Sequence, residues 1–190
     1  EHHELYGWEM LPKAGLVVHP HDNVTLRYAA ARGFRSPSIR ELYFWMPAND
    51  ELTPDRVFNQ EVGLTFTPWN RFSLKATLFR MDGSNLIQFS GPPPKWINSG
   101  SYLHDGFEIE ARTRLLPWME AGGAWSETEL GEKAYNMPAR KITGFLRFQR
   151  GTLSLETRMR LIRDMRGADF SGPSPVPVLH NLGDYTVVDM

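Results

Sequence analysis

Two runs of alternating apolar and polar side chains, separated by a short turn, constrain the fold of this chain most strongly. In residues 61–67 and 72–78, apolar side chains such as Leu64 and Leu74 occupy every second position. A period of two places successive side chains on opposite faces of a β-strand. The connector at residues 68–71 contains proline and asparagine, which favour turns. The sequence therefore predicts an antiparallel hairpin with one apolar and one polar face.

The same alternation recurs along the chain and predicts an antiparallel meander of about nine strands. The predicted connections are alternately short, at 20–23, 68–71, 116–118 and 150–151, and long, at 33–55, 82–98, 127–139 and 164–183. Successive connections of a meander fall at opposite ends of the sheet, so all short turns share one end and all long loops the other. This plan is typical of an outer-membrane β-barrel, whereas a soluble sandwich mixes loop lengths at both ends.

Charged side chains on one face of several predicted strands exclude a dry core on that side. Residues 108–114 and 156–160 place glutamate and arginine at alternate positions, and unpaired buried charges are costly. Either this face lines a water-filled lumen or it is the solvated face of a soluble sheet. The uniformly apolar opposite face favours the lumen, because roughly 9–11 alternating residues suffice to cross a bilayer.

The composition excludes several kinds of site. The formal net charge of -1 provides no electrostatic signature for binding nucleic acid. The chain contains no cysteine, which excludes disulfides, thiolate metal sites and cysteine catalysis within it. No apolar run reaches the ~20 residues that a transmembrane helix needs.

The two ends of the sequence indicate that residues 1–190 belong to a longer protein. Residues 1–6 lack the basic and apolar regions of a signal peptide. Residues 185–190 resemble a strand that is interrupted in its course. We therefore expect residues 1–190 to form a partial β-barrel domain.

No catalytic or metal-binding constellation is predicted. The Gly-x-Ser-x-Gly and His-Glu-x-x-His motifs are absent, so we expect no enzyme, no catalytic residue and no cofactor. His19 and His21 share one strand face, which suits a metal ion, but no third ligand is near. The alternative is that the two histidines are an exposed pair at the end of a turn. We favour this alternative and therefore expect no metal site.

Trp69 and Trp118 occupy equivalent turns, which indicates either an interfacial aromatic belt or local packing.

Several segments resemble the TonB-dependent outer-membrane receptors. Gly33-Phe34-Arg35-Ser36-Pro37, followed by Glu41-Leu42-Tyr43, resembles the end of one barrel strand in that family. Residues 49–56 are similar to the family's next box, Asn-Pro-x-Leu-Lys-Pro-Glu, from which Asp50 and Thr53 depart. Further similar segments follow in the family's order at residues 57–64, 86–88, 98–100 and 106–110. These segments lie between residues 33 and 110 of the chain.

This resemblance implies an all-β fold, an antiparallel up-and-down meander that forms a sector of a 22-stranded transmembrane β-barrel. The plug domain, the TonB box and the closing strands would lie outside these residues, and Met190 replaces the terminal aromatic residue of a complete barrel. The implied function is TonB-dependent uptake of a scarce ligand, such as a ferric siderophore or cobalamin, across the bacterial outer membrane. Residues 33–56 contain no histidine, which disfavours haem within this family.

The implied partners are outer-membrane lipid, a small metal-chelate ligand and the energy-transducing TonB complex, which would act through the missing plug. Aromatic residues of the long loops are the predicted ligand contacts, because such loops meet a ligand first. The candidates are Tyr43, Phe44, Trp45, Trp96 and Tyr102. The alternative is that these side chains only pack the loops.

In the same region, Ser38 and Glu41 fit the capping box of a one-turn helix.

A second functional class remains open. A soluble β-sheet module that binds carbohydrate or peptide would also show alternating strands. It predicts a monomer that stays soluble without detergent. A sector of a barrel would instead expose two unpaired strand edges, which promote aggregation in isolation.

Overall fold

The computed structural model describes residues 2–44, 48–90, 93–131, 137–169 and 178–189. Nearly all of its regular structure is β-strand. In chain order the elements are β1 (His2–His3), β2 (Gly7–Trp8), β3 (Lys13–His21), β4 (Val24–Arg35), α1 (Ile39–Leu42), β5 (Asp55–Trp69), β6 (Phe72–Ser84), β7 (Ile87–Ser90), β8 (Lys95–Asn98), β9 (Tyr102–Leu116), β10 (Met119–Leu130), β11 (Pro138–Arg150), β12 (Leu153–Asp169), β13 (Val178–Asn181) and β14 (Tyr185–Asp189). Among the described residues, no helix is long and apolar enough to span a membrane.

Ten of these strands form one antiparallel sheet. Its neighbours run in the order β3-β4-β5-β6-β9-β10-β11-β12, and β12 then pairs with β14 through residues 158–162 and with β13 through residues 166–169. The predicted meander is confirmed, and β13 is an additional strand within the connection predicted at 164–183. Residues 82–98, predicted to be a long connection, contain the separate hairpin β7–β8.

The tight turns all lie at one end of the sheet. Each consists of two residues, at 22–23, 70–71, 117–118 and 151–152. Gly151 has a φ of +62°, a left-handed conformation that glycine adopts without steric cost. The connections from β4 to β5 and from β6 to β9 are long and lie at the opposite end. For these connections the predicted alternation of short and long is confirmed. β10 and β12 extend to Leu130 and Asp169, into the connections predicted at 127–139 and 164–183, and residues 132–136 and 170–177 of those connections lie outside the described residues.

Strand register places a continuous row of apolar side chains across the sheet. Cα pairing joins, in turn, Leu26, Leu64, Ala76, Ile109, Trp125 and Ile142. Directly opposed residues of antiparallel strands share a face. One position along, Thr77 pairs with Glu108, and Ser126 pairs with both Glu108 and Lys141. The sheet therefore has the apolar face and the polar face that the alternation predicted.

No second layer of the described chain covers the apolar face. Leu64 remains 37 % exposed and Leu78 remains 63 % exposed. Three of the four buried hydrophobic residues lie instead in the long connections, namely Leu42, Leu52 and Ile87. A soluble sandwich would bury the apolar face against a second sheet. This sheet leaves it open, so another apolar medium has to cover it.

Candidate functional site

The long connections at one end of the sheet pack into an assembly that we call the loop platform. It comprises residues 36–44 and 48–54 together with residues 85–90 and 93–100. Its core consists of Leu42 from α1, Leu52, and Ile87 from β7, with Trp96 from β8 packed against them. Burial of this cluster fixes the two connections to each other.

Helix α1 begins within the platform because Ser38 and Glu41 form a capping box. The backbone N–H of Glu41 donates to Ser38 Oγ at 3.3 Å, and the N–H of Ser38 donates to Glu41 Oε2 at 2.7 Å. Arg35, at the end of β4, donates to both carboxylate oxygens of Glu41 at 3.1 and 3.2 Å. The predicted capping box is confirmed, and the helix buries Leu42 while Ile39 stays exposed.

Opposing effects act on the carboxyl group of Glu41. Burial raises its pKa, whereas hydrogen bonds from Ser38 and Arg35 and the positive charge of Arg35 lower it. The lowering effects prevail, so the pKa of Glu41 lies below its usual value. The ionised carboxylate is therefore the form that holds α1 against the end of β4.

Two asparagine side chains join the first long connection to the second. Asn98 Nδ2 donates to the carbonyl oxygen of Thr53 at 2.9 Å, and its Oδ1 accepts from the backbone N–H of Thr53 at 2.9 Å. Asn49 Nδ2 donates to the carbonyl oxygen of Trp96 at 2.8 Å. Both asparagines lie in segments that carry the family resemblance, but the sequence alone predicted no role for them.

The segment before β3 braces the platform. The hydroxyl group of Tyr6 donates to the carbonyl oxygen of Leu52 at 3.1 Å. Glu9 is only 8 % exposed and pairs with Arg56 of β5, whose Nε lies 3.1 Å from Glu9 Oε1. The hydrogen bond from Arg56 lowers the pKa of Glu9. No sequence pattern links these two residues, which lie 47 positions apart.

The five predicted ligand contacts do not share one environment in the structure. Tyr43 and Phe44 follow α1 and are 60 % and 70 % exposed, so they are accessible on the surface of the platform. Trp96 is half-buried against the platform core, and Tyr102 is half-buried on the polar face of β9. Trp45 lies outside the described residues.

Charged side chains on the polar face form a charge ladder, which we define as Arg112, Glu120, Arg147 and Glu156. Arg112 lies 3.6 Å from Glu120, and Arg147 lies 3.3 Å from Glu120 and 2.6 Å from Glu156. Both guanidinium groups contact the ring of Phe145, with the Cζ atoms of Arg112 and Arg147 at 5.4 and 5.8 Å from the ring centroid. Half-exposed ion pairs contribute little stability. The ladder therefore mainly determines the charge pattern of this face.

Aromatic side chains mark the end of the sheet that carries the tight turns. Trp69 is 70 % exposed, and its ring centroid lies 6.2 Å from that of Phe72. Trp118 contacts Phe148 at a centroid distance of 5.0 Å. The two tryptophans thus lie at the same end of the sheet, which fits an interfacial belt.

The histidine pair at the first tight turn is exposed and hydrogen-bonded locally. His19 Nδ1 lies 3.0 Å from Thr25 Oγ1, and His21 Nδ1 accepts from the backbone N–H of Asn23 at 3.3 Å. In the part of the chain that the structure describes, no group of three or more His, Cys, Asp or Glu side chains is placed to hold a metal ion.

One family model matches the chain over its full length. It is described as TonB dependent receptor-like, beta-barrel, and it covers residues 1–190. Transferrin-binding protein A from Neisseria meningitidis serogroup B is 35 % identical over 80 residues, which are 40 % of this chain and 9 % of that protein. The corresponding protein from Neisseria gonorrhoeae is 34 % identical over 68 residues, 34 % of this chain and 7 % of the relative. The matched segment is thus a small part of either relative.

Solved structures share the fold over almost the whole chain. A ferric enterobactin receptor from Pseudomonas aeruginosa, solved with enterobactin, superposes with a TM-score of 0.78 at 18 % identity, covering 98 % of this chain and 33 % of that one. The siderophore receptor PirA from Acinetobacter baumannii superposes with a TM-score of 0.78 at 14 % identity, covering 98 % of this chain and 35 % of PirA. The chain thus spans about a third of each solved barrel.

Proposed function

This chain belongs to the TonB-dependent receptor-like β-barrel family, and we propose on that premise that it forms a sector of a 22-stranded barrel in a bacterial outer membrane. The complete receptor takes up a scarce ligand, such as a ferric siderophore or cobalamin, and performs no catalysis. Outer-membrane lipid contacts the apolar face. The energy-transducing TonB complex acts through a plug domain that these residues do not include.

The observation that carries this proposal is the contrast between the two faces of one continuous sheet. Leu64 and Ile109 stay exposed on one face, while the charge ladder occupies the other. Hydrocarbon on one side and water on the other account for both faces. A soluble module for carbohydrate or peptide would leave a large apolar surface in water, which monomeric soluble proteins avoid.

The lengths of the connections orient the sheet in the membrane. Barrels of this kind have short turns on the periplasmic side and long loops on the extracellular side. The loop platform then faces the medium from which the ligand arrives. Trp69 and Trp118 lie at the periplasmic interface, and the charge ladder lines the lumen.

We propose a small metal chelate as the ligand. The similar solved structures are receptors for ferric enterobactin and for a siderophore, as their names state. Tyr43 and Phe44 present exposed aromatic rings on a platform that is fixed by its own core, and rigid aromatic side chains serve well as binding anchors. Trp45 is a third proposed contact. Trp96 and Tyr102 remain proposed contacts, although both side chains are half-buried.

Alanine at Tyr43 or Phe44 in the complete receptor should weaken ligand binding by about tenfold or more, because anchor aromatics contribute most of the energy of such contacts. The probes are ferric enterobactin, a ferric hydroxamate siderophore and cyanocobalamin, and quenching of tryptophan fluorescence reports their affinity. Trp69→Ala is the matched control, because Trp69 is equally exposed at the opposite end of the sheet. It should leave the affinity unchanged.

Two results would contradict this assignment in different ways. Unchanged affinity in both alanine variants would show that the end of α1 is not the binding surface. Binding of iron-loaded transferrin, without binding of any of the three chelates, would show that the ligand is a protein carrier. The second result would leave the barrel and its place in the outer membrane untouched.

A further inference from the structure

The polar face of β6 and β9 carries a cross-strand pair of histidine and methionine. Cα register pairs Met81 of β6 with His104 of β9. Both strands are paired along both edges, β6 with β5 and β9 with β10. The strands on both sides of this pair therefore belong to residues 1–190, and no further strand is needed to position the two side chains.

The imidazole of His104 is buried and incompletely bonded. The residue is 9 % exposed, and its Nδ1 atom is buried without a hydrogen-bond partner among the described residues. Its ring contact is with Tyr102, at a centroid distance of 5.3 Å. Buried polar atoms are nearly always satisfied, so an unpaired one indicates an additional group, such as an ion or a water molecule, at that atom.

Two aromatic rings flank the pair of Met81 and His104 along the strands. Tyr102 lies over Gly83, where an added Cβ would come within 2.0 Å of the Tyr102 ring. Phe79 lies over Gly106 on the other side, where an added Cβ would come within 2.4 Å of its ring. The glycines let both rings lie close to the sheet on either side of His104. These two rings therefore flank His104 along the strands, while the Tyr102 hydroxyl group donates to Asp55 Oδ1 at 3.4 Å.

The thioether of Met81 and the imidazole of His104 are side chains that bind soft metal ions. Directly opposed residues have Cβ atoms about 4.5–5.5 Å apart, which brings the Met81 thioether within reach of the His104 ring. Thioether and imidazole together favour Cu(I), whereas hard cations require several oxygen ligands. Aromatic faces also attract a cation that has lost its water.

We propose that His104 Nδ1 and Met81 Sδ form a two-ligand site for a monovalent soft metal ion, Cu(I), on the lumen wall. The flanking Tyr102 and Phe79 rings shield the ion from water. Asn59 pairs with Met81 on the other side, and Leu130 pairs with His104, so neither neighbour adds a charge. Tyr102 belongs both to the wall of this site and to the proposed contacts of the receptor's ligand, whereas Met81 and His104 belong to this site alone.

The test uses Ag(I), a redox-stable substitute for Cu(I), with the complete receptor in detergent and chloride-free buffer. Equilibrium dialysis counts the bound silver per chain. Met81→Leu and His104→Gln should each bind one equivalent less than the wild-type receptor. Met159→Leu and His21→Gln remove the same atom types from exposed positions outside the pair and should bind as much as wild type.

X-ray absorption at the silver edge provides a second readout. The wild-type spectrum should contain one sulfur shell that Met81→Leu removes. Equal silver binding by wild type and Met81→Leu, or no sulfur shell, would overturn the proposal and assign the Nδ1 atom to water or to a group outside this sector. Leucine conserves the volume of methionine, so this variant keeps the test valid even where His104→Gln fails to assemble.

Discussion

Arginine in place of Ala76 is expected to reduce strongly the amount of complete receptor that folds into the outer membrane, whereas arginine at the next residue, Thr77, is tolerated. Ala76 lies on the apolar face in the middle of β6, paired with Leu64 and Ile109. A charged side chain on the lipid face near the bilayer midplane costs about 2–4 kcal/mol, a large share of a net stability of about 5–15 kcal/mol. Thr77 lies on the polar face opposite Glu108, where arginine gains a partner.

The migration of unheated outer-membrane samples in SDS gels distinguishes folded from unfolded barrels. Ala76→Arg should give clearly less of the folded band and more of the unfolded band than the wild type, and Thr77→Arg should give the folded band of the wild type. Ala76→Leu adds bulk at the same position without charge and should also fold. As much folded barrel for Ala76→Arg as for the wild type would contradict the exposure of this face to lipid.

The second large effect is expected at Leu52, in the core of the loop platform. Leu52 is 2 % exposed and contacts the cluster of Leu42 and Ile87, while its carbonyl oxygen accepts from Tyr6. Truncation of a buried leucine to alanine costs about 2–5 kcal/mol. Leu52→Ala should therefore loosen the platform and weaken binding of the same three chelates by at least about tenfold, because the ligand would have to order the loops.

The barrel itself should survive this change, because the platform core lies outside the sheet. Leu52→Ala should keep the folded band in SDS gels but become sensitive to brief trypsin treatment within residues 36–54. Glu51→Ala, at the exposed neighbouring residue, is the control and should behave as wild type. Protease resistance and ligand affinity equal to those of the wild type would show that the platform does not depend on this core.

The sheet was predictable from sequence because its physical cause is local. Each strand alternates on its own, as residues 72–78 do, and each two-residue turn follows from the residues at the turn. The helix α1 was predictable for the same reason, since Ser38 and Glu41 lie within one helical turn. Periodicity therefore fixed both the number of main strands and the side chains on each face.

The loop platform and the charge ladder were not predictable, because their contacts join distant positions. Asn98 bonds to Thr53 across 45 residues, and Glu9 bonds to Arg56 across 47. Which arginine meets which glutamate on the polar face depends on register, which sequence alternation alone does not specify. The hairpin β7–β8 was missed for a related reason: its strands are four residues long, too short for a periodic signal, and Pro93 and Pro94 follow the first of them.

The exposure of one face of the sheet to lipid is tested most directly by a nitroxide scan of residues 73–79 in β6. Single cysteines are introduced one at a time into a cysteine-free version of the complete receptor, reconstituted in lipid and spin-labelled. Power-saturation measurements should show high oxygen accessibility at residues 74, 76 and 78 and low accessibility to a water-soluble nickel chelate there, with oxygen accessibility reduced at 73, 75, 77 and 79. Accessibility without this period of two, or high nickel accessibility at residue 76, would contradict a barrel wall in the membrane.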